Sequence, residues 1–69
     1  MNEEIKLSKV QILIQQKKFQ EAEKFLADLL HEDATNLYYL SLLAEVYIQQ
    51  DKFDNANKII DNAIGIAPD

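Results

Sequence analysis

The chain has 69 residues, of which 48% are hydrophobic and 28% charged, with no cysteine, no arginine and a formal net charge of −5. This balance predicts one globular domain with a small core, and the absence of cysteine excludes disulfides and cysteine-ligated zinc. The negative charge leaves no basic surface for nucleic acid, and no apolar run approaches the roughly 20 residues that span a membrane.

The first helix is expected from about residue 3 to residue 16. Asn2 can cap its free backbone N–H groups, and the two acids that follow suit the positive end of a helix dipole. The second helix begins near Phe19, where apolar residues recur at steps of three and four, as on one face of an α-helix. These residues are Phe19, Ala22, Phe25, Leu26, Leu29 and Leu30.

The third helix is expected over about 37–50, with Thr35 or Asn36 as its cap. The fourth begins at Phe53 and should end near Gly65 and Pro68, because glycine tolerates the left-handed conformation of a helix end and proline cannot continue a helix. Its apolar residues again follow steps of three and four. They are Phe53, Ala56, Ile59, Ile60, Ala63 and Ile64.

The two halves of the chain are copies of each other. Each apolar residue of the fourth helix lies 34 positions after its counterpart in the second, which is a repeat period. Polar residues match as well, which a shared helix period would not require. Ala22 and Ala56 interrupt stripes of larger residues at the same repeat position, so we expect helices to approach closely there. Between residues 15–30 and 49–64, the identical pairs are Gln15/Gln49, Gln16/Gln50, Lys18/Lys52, Phe19/Phe53, Ala22/Ala56 and Lys24/Lys58.

The spacing in the second half resembles that of the tetratricopeptide repeat (TPR) family, whose unit is 34 residues of paired helices. The residues that carry the resemblance are Leu40, Leu43, Ala44 and Tyr47 in the first helix of the unit, and Ala56, Ile60 and Pro68 from its second helix onward. The resemblance implies an all-α fold: an α-solenoid fragment of two TPR-like helix–turn–helix hairpins, with four antiparallel helices in a right-handed stack.

The resemblance divides the single domain, 1–69, into a first repeat at 2–35 and a second at 36–69. The first repeat is atypical, because Lys6, Lys9 and Ala34 stand where Leu40, Leu43 and Pro68 stand later. A terminal repeat has no predecessor to cover it, so we interpret the two lysines as a polar N-terminal edge.

No residues form a recognisable catalytic constellation, and we expect no enzyme activity. Ser8, Ser41 and the single histidine, His31, are the only candidates besides scattered carboxylates, and His31 is best explained as a helix-end residue. The acids lack the glycine-containing spacing of a calcium loop, so neither a metal nor a cofactor is expected. The acidic start without an apolar leader predicts a cytoplasmic protein, although a domain excised from a secreted or periplasmic protein would have the same composition.

The resemblance implies a protein-interaction module that binds a peptide or helix in a concave groove, as part of a longer repeat array. Tyr47 shares the packing stripe of its helix, whereas Tyr38 lies on the opposite face, where ligand binding and leftover surface are both open interpretations. Clamping of a carboxylate tail is disfavoured, because the groove lacks cationic groups. The predicted groove consists of Leu7, Gln11, Ile14 and Gln15 in the first helix, and of Tyr38, Ser41, Leu42, Glu45, Ile48 and Gln49 in the third.

The alternative function is a structural one, in which the chain forms a homodimer through an apolar C-terminal face. Ile5, Ile12 and Phe25 are expected to pack onto the following unit, and their counterparts in the second unit would then be left uncovered. The face predicted for self-association, or for a next repeat, comprises Tyr39, Leu42, Val46, Ile59 and Ile66.

Overall fold

A computed structural model describes residues 2–66 of the chain, without the side chain of Asn2. Its four helices are α1 (Asn2–Gln15), α2 (Phe19–Glu32), α3 (Leu37–Gln49) and α4 (Phe53–Ile66). The prediction of an all-α fold made of two helical hairpins is confirmed. Three-residue turns, 16–18 and 50–52, join the helices within each hairpin, so the helices predicted to reach residues 16 and 50 each end one residue earlier.

The two hairpin turns have the same backbone conformation. Lys17 and Asp51, which lie 34 residues apart, both adopt a left-handed φ, of 63° and 62°. In the first turn, the N–H of Lys18 donates to the carbonyl of Leu13 at 2.8 Å, and the second turn repeats this bond at 2.9 Å. This hydrogen bond closes a helix end of the Schellman type, in which a left-handed residue follows the last helical turn. The repeat therefore extends from the sequence to the backbone.

Of the two predicted caps for α3, the structure uses Asn36. Its Oδ1 accepts a hydrogen bond from the backbone N–H of Tyr39 at 3.1 Å, and its Nδ2 donates to Asp33 at 3.0 Å. At the start of α1, a hydrogen bond from its own backbone is the largest cause that lowers the pKa of the Glu3 carboxyl.

The left-handed helix end predicted at Gly65 is not observed. The helix continues through Ile66, and Gly65 does not adopt a positive φ. Glycine at this position is a helical residue, because nothing in the backbone forces the left-handed conformation. The cap predicted at Asn2 and the helix end and repeat boundary predicted at 68–69 lie outside the described residues and side chains.

The core lies between the hairpins as much as within them. α2 packs between α1 and α3, while α4 packs on α3. One buried cluster joins α1, α2 and α3 and includes Ala22 of α2. Ala56 of α4 is buried as well, where α4 packs on α3. Both alanines are thus enclosed at the repeat position where a close approach was predicted. The cluster consists of Val10 of α1, Ala22, Leu26 and Leu29 of α2, and Tyr39, Leu43 and Val46 of α3.

This core corrects the predicted self-association face. Tyr39 and Val46 are only 8% and 0% exposed, because α3 turns them back onto α2, and they cannot form an open C-terminal face. Ile59 and Leu42 also pack against the core, and Ile66 is half-buried. Ile5 and Ile12, which were predicted to pack onto the following unit, are 57% and 53% exposed. The directions predicted for Ile5, Ile12, Tyr39 and Val46 were therefore wrong.

A polar contact also links the two hairpins. The side chain of Gln50 donates to the Glu23 carboxylate of α2, and Lys52 Nζ lies 3.3 Å from the same oxygen. Lys52 also lies over the ring of Tyr47, 6.0 Å from its centroid. The ion pair is partly exposed, so its contribution to stability is small. Its effect is to position the second turn against α2.

Candidate functional site

The residues predicted to line a concave groove do not all remain open in the structure. Gln11 of α1 donates from Nε2 to the hydroxyl of Tyr38 in α3 at 3.0 Å, so these two side chains partner each other across the shared face. Leu7, Ile14 and Leu42 pack against the core. The part of the predicted groove that joins α1 to α3 is therefore mostly occupied by contacts within the chain.

An open apolar groove lies between α3 and α4. Its volume is about 660 Å³. Four large side chains in it are solvent-exposed: Leu37 at 41%, Ile48 at 43%, Ile60 at 40% and Ile64 at 60%. The remaining lining residues are Leu40, Ser41, Ala44, Glu45, Gln49, Ile59 and Ala63, and we call the whole surface the α3–α4 groove.

The floor and rim of the α3–α4 groove differ in chemistry. Leu40 and Ala44 are buried between the helices and Ala63 is half-buried, so small and apolar groups form the floor. Exposed polar groups lie along the α3 side of the rim, and Glu45 is the only charged group among the described lining residues. This arrangement can accept a row of apolar side chains and favours a cation near Glu45.

The model of the tetratricopeptide repeat family matches residues 2–46 and 13–69 of the chain. The chain belongs to this family. TPR domains are generally protein–protein interaction modules on a non-catalytic scaffold. No curated protein and no solved structure gives a significant match to the chain.

His31 is exposed in the last turn of α2, where the sequence placed it. Within residues 2–66, no group of three or more histidine, cysteine, aspartate or glutamate side chains is arranged to hold a metal ion. No helix in this part of the chain is long and apolar enough to cross a membrane.

Sequence reasoning found only one wall of the α3–α4 groove. Ser41, Glu45, Ile48 and Gln49 were predicted as groove residues and do line it. The wall from α4 was missed, because Ile60, Ala63 and Ile64 were assigned to packing within the hairpin and Ile59 to the predicted self-association face. The repeat could have predicted this wall. The α4 residues are the counterparts of α2 residues that the second hairpin covers, so they are the residues that a following hairpin would cover. The missed α4 residues are Ile59, Ile60, Ala63 and Ile64.

A second exposed apolar surface lies at the opposite end of the TPR pair. Ile5, Lys9 and Ile12 follow one another at steps of four and three, so they form a ridge on one face of α1. Both isoleucines are more than half exposed. Lys9 lies between them, with its Nζ 5.5 Å from the centroid of the Phe25 ring. The predicted polar edge is therefore apolar on both sides of Lys9, and we call it the α1 ridge.

Proposed function

We propose that this TPR pair is a protein-interaction module that binds the apolar ridge of a helix from another protein surface in its α3–α4 groove. The observation that supports this most directly is the clustering of Leu37, Ile48, Ile60 and Ile64. These are four large exposed hydrophobic side chains around one groove. Scattered exposed hydrophobic residues are ordinary on protein surfaces, whereas a contiguous apolar patch marks an interaction site.

The shape of the α3–α4 groove favours a helix over an extended peptide. It runs between two helices, and small side chains at Ala44 and Ala63 leave space at its floor. A partner helix can insert a row of apolar residues spaced three and four apart into such a groove. A lysine or arginine beside that row would face Glu45.

The concave residues predicted from the sequence contribute at the rim. Ile48 faces the α3–α4 groove and is 43% exposed, so it is available to a ligand. Tyr38 is half-exposed and is held by Gln11, which makes it a fixed support beside the site. We infer that Ile48 contributes more to binding than Tyr38.

Selection of helical peptides from a library, followed by titration against variants, tests this proposal. Ile48→Ser and Ile64→Ser should each weaken binding of a selected basic amphipathic peptide by roughly tenfold or more, because each removes an exposed apolar contact. Phe53→Ser is the matched control, since Phe53 is a large side chain of α4 that is 60% exposed and does not line the groove. Peptides whose affinity is unchanged in both groove variants would show that the groove is not the site.

A further inference from the structure

We propose that the α3–α4 groove of one copy of the chain receives the α1 ridge of a second copy, so that copies associate head to tail. The inference rests on the proposed function, because it takes the groove as the interaction site and names its partner. Both surfaces occur on the same chain, one on the last two helices and one on the first.

The contact between the two hairpins supplies a template for this association. Within the chain, α3 places Tyr39, Leu43 and Val46 in the cluster formed with α1 and α2. The residues 34 positions before these three are those of the α1 ridge, which has no such cover among the described residues. The ridge thus occupies the repeat position that packs backward onto a preceding unit.

The receiving surface is repeated in the same way. Leu26 and Leu29 of α2 are fully buried under α3, and their counterparts are Ile60 and Ala63 of the α3–α4 groove. Val10 is likewise buried, and its counterpart Ala44 lies on the groove floor. Two of the three counterparts are smaller, which leaves the groove room for side chains of isoleucine size.

Charge also fits this register. Leu43 and Ala27 line one hollow where α3 meets α2, and their counterparts are Lys9 of the α1 ridge and Asp61 of α4. In this register, Lys9 of one copy and Asp61 of the other therefore line the same hollow between copies. Both residues are exposed in the single chain. An opposite-charge pair at this point favours the α1 ridge over an uncharged apolar helix.

One feature of the register opposes association. Gln11 and Tyr38, which share a hydrogen bond within the chain, have Glu45 and Glu4 as their repeat counterparts. In this register, the carboxylate of Glu45 in one copy would therefore face that of Glu4 in the next. Removing either charge should therefore strengthen the contact. This makes the register distinguishable from any other placement of α1 in the groove.

Head-to-tail association differs from the two-fold homodimer predicted from the sequence. A two-fold contact uses one patch on both copies, whereas this contact uses two different patches. Each copy keeps one free ridge and one free groove, so assembly continues beyond the dimer as concentration rises. Mass measurements across a concentration series distinguish the two arrangements.

Two half-blocked variants test the proposal. Ile5→Glu with Ile12→Glu blocks the ridge, and Ile60→Lys with Ile64→Lys blocks the groove; all four side chains are at least 40% exposed, so folding should survive. By sedimentation velocity, each variant alone should remain monomeric, while an equimolar mixture should form a dimer and stop there. Circular dichroism of each variant checks that it is folded. Dimers of the ridge-blocked variant alone, or no complex in the mixture at concentrations where the parent associates, would overturn it.

Charge exchange tests the register without altering apolar contacts. Lys9→Asp and Asp61→Lys should each weaken self-association of the parent by roughly fivefold, and the double variant should restore it. Glu45→Gln should strengthen it. If Ile64→Ser abolishes association while the charge variants change nothing, the groove binds helices but the ridge is not its partner in this register. A parent chain that stays monomeric at all concentrations overturns head-to-tail association and leaves the peptide test of the groove unaffected.

Discussion

Replacing Val46 by alanine should destabilise the chain far more than the same change at its repeat counterpart, Ile12. Val46 is fully buried, and the change removes two carbon atoms, worth about 1.6 kcal/mol in transfer free energy. The cavity left behind raises the loss to about 2–3 kcal/mol. Ile12 is 53% exposed, so removing three half-exposed carbons costs about 1 kcal/mol, partly offset by the higher helix propensity of alanine.

Thermal unfolding followed by circular dichroism measures the difference, at concentrations low enough to keep the chain monomeric. For a domain of this size, 1 kcal/mol corresponds to roughly 4–8 °C in Tm, so Val46→Ala should lower Tm by roughly 10–20 °C and Ile12→Ala by only a few degrees. Equal effects at the two positions would refute the conclusion that the repeat is buried at one end and open at the other. A larger effect at Ile12 would indicate that Ile12 is the buried position and Val46 the open one.

Three further predictions concern individual features of the fold, each measured by urea unfolding. Ala56→Leu should lower the free energy of unfolding by about 1–3 kcal/mol through overpacking, and an unchanged midpoint would show that the α3–α4 contact is loose. Asn36→Ala should cost about 1 kcal/mol through loss of the cap, whereas Thr35→Ala should change little; the reverse order would contradict the observed cap. Lys17→Gly should stabilise by up to about 1 kcal/mol, because glycine adopts the left-handed φ without steric cost. Lys24→Gly, within α2, should destabilise by a similar amount. If both glycine substitutions changed the free energy of unfolding in the same direction, this would argue against strain at Lys17.

Local sequence patterns predicted the fold well because each pattern occurs twice in the chain. Each half carries the same apolar spacing, so the existence and order of the four helices followed from it. The cap at Asn36 was one of two adjacent candidates, since both side chains can accept a backbone hydrogen bond. The left-handed cap expected at Gly65 does not form, because glycine permits that conformation without requiring it.

The candidate site was only half predictable, because periodicity tells which residues share a helix face but not which neighbour that face meets. Val46 and Ile12 occupy the same repeat position, and the sequence gives no direct indication that both point toward the preceding unit. Once Val46 is seen packed against α2, the exposure of Ile12 follows from the repeat. The α4 wall of the groove follows in the same way, since Ile60 is the counterpart of the buried Leu26.

Nuclear magnetic resonance of the ¹⁵N-labelled chain, recorded from dilute to concentrated solution, tests the claim that the α3–α4 groove receives the α1 ridge of a second copy. We predict concentration-dependent shifts at Ile48, Ile60 and Ile64, accompanied by shifts along the α1 ridge, while Gln20 and Asp28 on the exposed side of α2 remain unchanged. Shifts confined to α2, or spread evenly over all four helices, would contradict the claim.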